Sequence, residues 1–218
     1  MNYYIVTEGV CEKKVYKKWI PYVNPELTPV EDIRDVEENN FFIIHANGQP
    51  DFFDVCAKAI IDVNQYMVFD KLVLVVDSEE DSQEEKEEQI RRSISPSGPC
   101  KAELHFIIQN FCLETWALGN SHIHRKSPHD VTLREYRSFF NLRCLDPEDL
   151  RSISDQYNRA QFAYLYLKAA IRDTYVSRSY SKKKPEVLCC EDYFSNIRKR
   201  FETTGHIKSF KAFLDAFT

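Results

Sequence analysis

Three acidic residues stand where apolar runs stop. Glu8 follows NYYIVT (2–7), Asp77 follows KLVLVV (71–76), and Glu114 lies one helical turn beyond ELHFIIQ (103–109). Runs rich in β-branched and aromatic residues read as strands. An open α/β sheet gathers its functional groups at the carboxyl ends of its strands, where loops are exposed but rigidly held. Parallel strands would therefore bring these acids to one edge. Glu12 lies four residues after Glu8, one turn along the helix expected there, and Glu79, Glu80 and Asp81 crowd the loop after Asp77. Carboxylates so gathered repel one another, and a hard cation with oxygen ligands, Mg²⁺ or Mn²⁺, relieves that repulsion. Two such ions would orient a water and stabilise both oxygens of an in-line phosphoryl displacement. Glu84, Glu85, Glu87 and Glu88 read instead as a solvated helix face.

The elements that must position these groups alternate in type. The strand at 2–7 leads through Glu8-Gly9 into a helix marked by Val10, Val15, Trp19 and Ile20, which Pro21 should stop. A second apolar run, FFIIH (41–45), is followed by an Asn47-Gly48 turn. Phe53, Cys56, Ala57, Ile60 and Ile61 then mark an amphipathic helix. The continuous apolar run at 71–76 suits a strand buried on both faces of a parallel sheet. After the acidic stretch comes the strand at 103–109, then a short helix in FCLETWALG with Asn110 as candidate N-cap. This order predicts an α/β fold whose mostly parallel sheet is flanked by helices. Helices are expected near 132–140, 159–175, 191–203 and 207–216. The predicted division is a metal-binding sheet domain at 1–120, with a helical, basic region at 121–218 packed on it.

Composition sets outer limits. A chain of 218 residues with 43% hydrophobic and 29% charged residues and a formal charge of −5 is ordinary for a globular protein. Seven cysteines at irregular spacing, with no C-x-x-C, fit reduced thiols in a cytoplasmic protein better than a zinc cluster or a disulfide framework. The start, MNYYIVTEG, reads as a strand and not as a signal peptide. No apolar stretch approaches the ~18 residues that span a membrane. His122, His124 and His129 lack a Cys or carboxylate at ligand spacing and read as a polar loop.

The segments YYIVTEGVCE, LVLVVDSEED and IIQNFCLETW, in this order, resemble the TOPRIM superfamily, and in particular its small RloB-like and OLD-like defence nucleases. The resemblance covers about residues 1–120. Glu8, Gly9 and Glu12 match the first motif. Asp77 matches the first acid of the strand-ending D-x-D, and Glu79 takes the place of the second, with Asp81 as the other candidate. Glu114 falls in the N-x-x-F/L-E-x-W segment. The resemblance implies a TOPRIM-like fold and a Mg²⁺- or Mn²⁺-dependent nuclease, the toxic effector of an anti-phage or abortive-infection system. Relatives of this type often work beside an ABC- or SMC-like ATPase. The chain has no G-x-x-x-x-G-K-[ST], so such an ATPase would be a separate subunit. The alternative is a non-catalytic TOPRIM-like module that docks on a partner ATPase.

The last third supplies the opposite charge. From Arg178 to Lys211 there are nine Lys/Arg against four Asp/Glu, with aromatic residues interleaved. Cations hold a phosphate backbone and aromatic rings stack on bases. Lys182, Lys183, Lys184, Arg198, Lys199, Arg200 and Lys208 are therefore the candidate nucleic-acid contacts. Lys208, in HIKSF, is also a candidate for steadying transition-state charge, with Lys184 beside it. The candidate catalytic set is Glu8, Glu12, Asp77, Glu79, Glu114 and Lys208. The candidate metal ligands are Glu8, Asp77, Glu79 and Asp81. Tyr193, Phe194, Phe201, Phe210, Phe213 and Phe217 exceed the packing needs of a thin helical layer, so some are expected to face another protein or a second copy of this chain.

Overall fold

Every apolar run named above becomes a strand in the computed structural model, which describes residues 1–218. The chain runs β1 (Tyr3–Thr7), α1 (Val10–Val23), β2 (Thr28–Val30), β3 (Asn40–His45), α2 (Asp51–Tyr66), β4 (Lys71–Asp77), α3 (Gln83–Ile94) and β5 (Glu103–Gln109). It continues through α4 (Leu113–Ala117), α5 (Val131–Phe139), α6 (Arg159–Thr174), α7 (Glu191–Thr204) and α8 (Phe210–Phe217). The five strands form one parallel sheet in the order β2-β3-β1-β4-β5. The fold is therefore α/β, with helices flanking the sheet and further helices in the C-terminal half.

Two compact units divide the chain. Met1–Val76, Asp81–Ile108 and Ala212–Thr218 make a sheet unit; Asp77–Glu80 and Gln109–Lys211 make a helical unit. Apart from Asp77–Glu80, the helical unit thus starts at Gln109, ahead of the change in composition near residue 120. The reason is burial: all ten residues from 111 to 120 are buried, and α4 within them packs on α6.

In the sheet unit, β1 is central and all five of its residues are buried. Side chains alternate across a strand, so Tyr4 and Val6 join a cluster with Phe52, Cys56 and Ile60 of α2 and Ile90 and Ile94 of α3. On alternate positions Tyr3 meets Phe217 with ring centroids 5.3 Å apart. Phe213 packs on Tyr16 at 4.8 Å and Trp19 at 5.9 Å. Each such buried side chain contributes about 1.5–3 kcal/mol. The helix α1 runs on through Pro21 to Val23, because a proline this close to the end removes only one hydrogen bond. Asn24 N–H still reaches the Ile20 carbonyl at 2.9 Å. The short strand β2 was not legible, since Pro29 argues against a strand except at a sheet edge, where β2 lies.

The acidic run behaves as a solvated helix start. Ser82 and Glu85 form a reciprocal capping box, and Glu87 and Glu88 pair with Arg91 and Arg92 one turn on.

In the helical unit, Phe162 of α6 stacks edge-on against Tyr136 of α5 at 5.0 Å. The Trp116 indole N–H donates to the Ser209 hydroxyl at 2.6 Å, and that hydroxyl donates in turn to Glu148. Burial raises the Glu148 pKa in spite of the Ser209 bonds. The α4 helix starts after Cys112 with no side-chain cap, so Asn110 does not serve as its N-cap; its backbone N–H goes to Ser209 Oγ instead. Gly205, at φ 69°, ends α7 in the left-handed conformation that a Cβ would disfavour. The aromatic surplus is largely internal: Tyr193, Phe194, Phe210, Phe213 and Phe217 are buried within the chain, and Phe201 is half-buried. The expectation that these rings face a partner is corrected accordingly. No helix is long and apolar enough to cross a membrane.

One histidine of the helical unit makes stability depend on pH. His124 Nε2 lies 2.7 Å from the Leu118 carbonyl oxygen. Burial pushes the pKa down to about 4, and Arg200, Arg143 and Arg137 add to this while the Leu118 bond opposes it. The folded-state value lies below the unfolded one of roughly 6.5, so protons bind the unfolded chain first. Stability should be full above about pH 6.5 and should fall as pH drops towards 4. Urea melts between pH 7 and pH 4.5 should show this slope, and His124→Gln should flatten it. An equal slope in both proteins would assign the acid sensitivity elsewhere.

Candidate active site

Glu8 and Asp77 stand at the carboxyl edge of the sheet. Glu8 directly follows β1 and Asp77 is the last residue of β4, its parallel neighbour. The backbone of Glu8 is clamped on both sides: its N–H donates to the Val75 carbonyl at 3.1 Å, and its carbonyl accepts from Gly48 at 3.0 Å. Its side chain is half-exposed, while that of Glu12 is buried. A Cβ on Gly9 would come within 2.8 Å of Glu12 Oε2. Glycine is thus what lets the Glu12 carboxylate lie over the β1–α1 turn. Asp81, also in the sheet unit, is committed elsewhere. The buried Lys86 ammonium pairs with it at 2.8 Å and Gln89 donates to it at 3.1 Å. These bonds hold its pKa below the usual carboxylate range.

In the helical unit the loop 77–80 is fixed by its backbone. Ser78 N–H donates to the Gln109 carbonyl at 2.9 Å and Glu79 N–H to the Phe111 carbonyl at 3.0 Å. Glu79 itself adopts φ 53°, a left-handed position unusual for a non-glycine residue. Glu80 caps α6: it accepts from Arg159 N–H at 3.0 Å and from Arg159 Nε at 2.8 Å. The Arg159 guanidinium lies over the Phe111 ring, 3.7 Å from its centroid. Glu80 and Arg159 thus tie the loop that carries Asp77 and Glu79 to the start of α6.

This arrangement leaves a pocket of about 690 Å³ lined by Asp77, Glu79, Tyr157, Tyr164, Lys182 and Lys183, among others. That volume lies within the roughly 300–1,000 Å³ of small-molecule and cofactor sites. Glu114 does not line it. It is only 1% exposed, and its Oε1 accepts from the Tyr180 hydroxyl at 2.7 Å and lies 4.0 Å from Lys182 Nζ. Its Oε2 is buried with no hydrogen-bond partner. A buried carboxylate is costly unless paired, so Glu114 holds Tyr180 and Lys182 in place from inside the fold. Cys112 reports the same field: burial first, then Glu114 and Asp77, raise its thiol pKa well above the ordinary value, and Lys182 opposes them.

The basic candidates divide. Lys182 and Lys183 line the pocket. Lys184 is exposed, with its backbone in a tight turn with Ser181. Lys199 and Lys208 are exposed, and Arg198 is exposed and paired with Glu202 at 2.8 Å. Arg200 is not a surface contact. It is buried, donating to the Leu145 carbonyl at 2.7 Å and to His206 Nδ1, because a buried guanidinium must find acceptors inside. Of the candidate metal ligands, Asp77 and Glu79 share one pocket, and Asp81 is tied to Lys86. No group of three or more His, Cys, Asp or Glu side chains is gathered for a metal. Mg²⁺ nonetheless suits the donors present. It takes hard oxygen ligands and usually binds through one or two carboxylates completed by waters and substrate phosphates.

Gln156, Tyr157, Asn158, Gln161 and Tyr164 also line the pocket and were not singled out in the sequence. The N-x-x-Q at 158–161 is legible as a helix start, but nothing in the sequence places it beside Asp77. No protein-family model matches this chain, and no curated protein or solved structure matches it.

Proposed function

We propose that this chain is a divalent-metal-dependent nuclease of TOPRIM-like type, cleaving phosphodiester bonds in DNA or RNA, with tRNA among the candidate substrates. The observation that carries this reading is the pairing of Asp77 and Glu79 with Lys182 and Lys183 around one pocket. Carboxylates there would hold Mg²⁺ or Mn²⁺, and lysines would hold the phosphate backbone. When bound, the ion would supply charge neutralisation at the phosphoryl oxygens and a more acidic water. Asp77 and Glu79 would orient the ion. Lys182 and Lys183 would orient the scissile strand. Glu8, at the same strand edge as Asp77, is the further candidate ligand, and Lys208 remains a candidate for steadying charge. In the same reading the protein is the cytoplasmic effector of an anti-phage or abortive-infection system. A separate ABC- or SMC-like ATPase would restrain it, and the chain could also pair with a second copy of itself.

A second reading, a non-catalytic module docked on such an ATPase, draws on the commitment of Glu80 to Arg159 and of Asp81 to Lys86. Incubation of the purified chain with plasmid, tRNA and total RNA in Mg²⁺ or Mn²⁺ separates the two. Cleavage that disappears on chelation supports the nuclease. Intact substrates in every metal, with the partner ATPase also present, support the module.

A further inference from the structure

The Asp77 pocket is lined by more than acids and lysines. Tyr157 and Tyr164 line it, with Asn158 and Gln161 between them in sequence. Tyr157 is 41% exposed, unusually open for an aromatic residue. Asn158 and Gln161 cap α6 reciprocally: Asn158 Oδ1 accepts from Gln161 N–H at 2.7 Å, and Gln161 Oε1 accepts from Asn158 N–H at 3.0 Å. Both amide oxygens are thus used. What the pair offers a ligand is two NH₂ donors, Nδ2 of Asn158 and Nε2 of Gln161. The pocket therefore combines one open aromatic ring, Tyr157, a half-buried one, Tyr164, which packs on Tyr180 at 5.9 Å, amide donors held by a helix cap, and two lysines.

From this combination we infer that the pocket receives one unpaired nucleotide of a nucleic-acid strand. Its base lies against Tyr157 and Tyr164 and accepts from the Asn158 and Gln161 amides. Its phosphate lies on Lys182 and Lys183. Unpaired bases offer the flat face and acceptor edge that such groups recognise, whereas a base inside a duplex offers neither to a pocket of this kind. Rings without a specific partner also stack on any base, so the aromatic side contributes binding and the amides contribute preference. The inference rests on the nuclease reading for its substrate and specifies it further: the strand must be single, looped or frayed at the bound residue.

The test measures binding without cleavage. Fluorescence anisotropy in a chelating buffer would compare a short labelled single-stranded RNA, a single-stranded DNA, a blunt duplex and free nucleoside monophosphates as competitors. Single strands should bind better than the duplex. Tyr157→Ala should weaken single-strand binding on the order of tenfold and leave duplex binding unchanged. Tyr157→Phe, which keeps the ring, should restore it and exclude a folding defect. Converting both Lys182 and Lys183 to Gln should lower the salt slope of single-strand binding by roughly 1.4. Equal affinity for duplex and single strand, an unchanged Tyr157→Ala protein, or mononucleotides competing as well as whole strands would each overturn the inference. Tyr157-dependent binding with no cleavage in any metal would leave it standing and remove the nuclease reading.

Discussion

Asp77→Asn should lower metal-dependent cleavage by at least about 100-fold, the loss typical when one group that stabilises transition-state charge is removed. The substitution keeps the size of the side chain and removes the charge that would bind the ion. The residue ends β4 and is only half-buried, so the fold should persist and the melting temperature without metal should stay close to that of the parent. Repulsion between Asp77 and Glu79 would also be relieved, which works towards stability. The sharper readout is the ligand effect. A metal bound at about 100 times its Kd stabilises a protein by about 2.7 kcal/mol, or roughly 5–10 °C for a chain of this length. Melting with and without Mn²⁺ should show that shift in the parent and its loss in Asp77→Asn. Retained cleavage together with a retained shift would remove Asp77 from the site.

Phe213→Ala should be the most damaging of the stability changes considered. Phe213 is fully buried in the sheet unit, where its ring meets Tyr16, Trp19 and Phe217 at 4.8, 5.9 and 5.3 Å. Truncating a buried phenylalanine costs about 3–5 kcal/mol, part from lost transfer energy and part from the cavity left behind. At roughly 2–4 °C per kcal/mol the melting temperature should fall by about 10 °C. Phe213→Leu should recover much of that loss by filling most of the cavity. A thermal melt of the alanine variant within 2–3 °C of the parent, in a range expected only for exposed positions, would show that this ring is not held as described.

The sheet was legible because its signals are local. Residues 2–7, 41–45, 71–76 and 103–109 are dense in β-branched and aromatic types, and each became a strand within a residue or so of those limits. The helices at 132–140, 159–175 and 191–203 followed from apolar spacing and caps in the same way. Failures came where a local rule met a tertiary circumstance. Pro21 signals a stop in the sequence, yet burial of Trp19 and Ile20 carries α1 past it. Asn110 suits an N-cap in the sequence, yet its backbone is engaged by Ser209, almost a hundred residues away. Arg200 belongs in sequence to the basic cluster of 178–211, just after Arg198 and Lys199, which points to surface charge. Helical rotation turns it inward towards the Leu145 carbonyl.

The same division runs through the candidate site. Strand ends are set by where apolar residues stop, so the sequence alone determined that Glu8 and Asp77 would stand at the carboxyl edge of parallel strands. It also determined that the run after Ser82 would be a solvated helix, since capping and i,i+4 pairing are local interactions. Which acids have their charge committed was decided only in three dimensions. Asp81 meets Lys86, Glu80 meets Arg159, and Glu114 is enclosed with Tyr180, while Glu79 lines the pocket of Asp77. The company of Asp77 was decided there too: Tyr157, Asn158 and Gln161 arrive about eighty residues later in the chain. Pocket lining depends on how helices pack, and packing rewards total burial and complementary charge between distant segments, for which a linear pattern carries no marker.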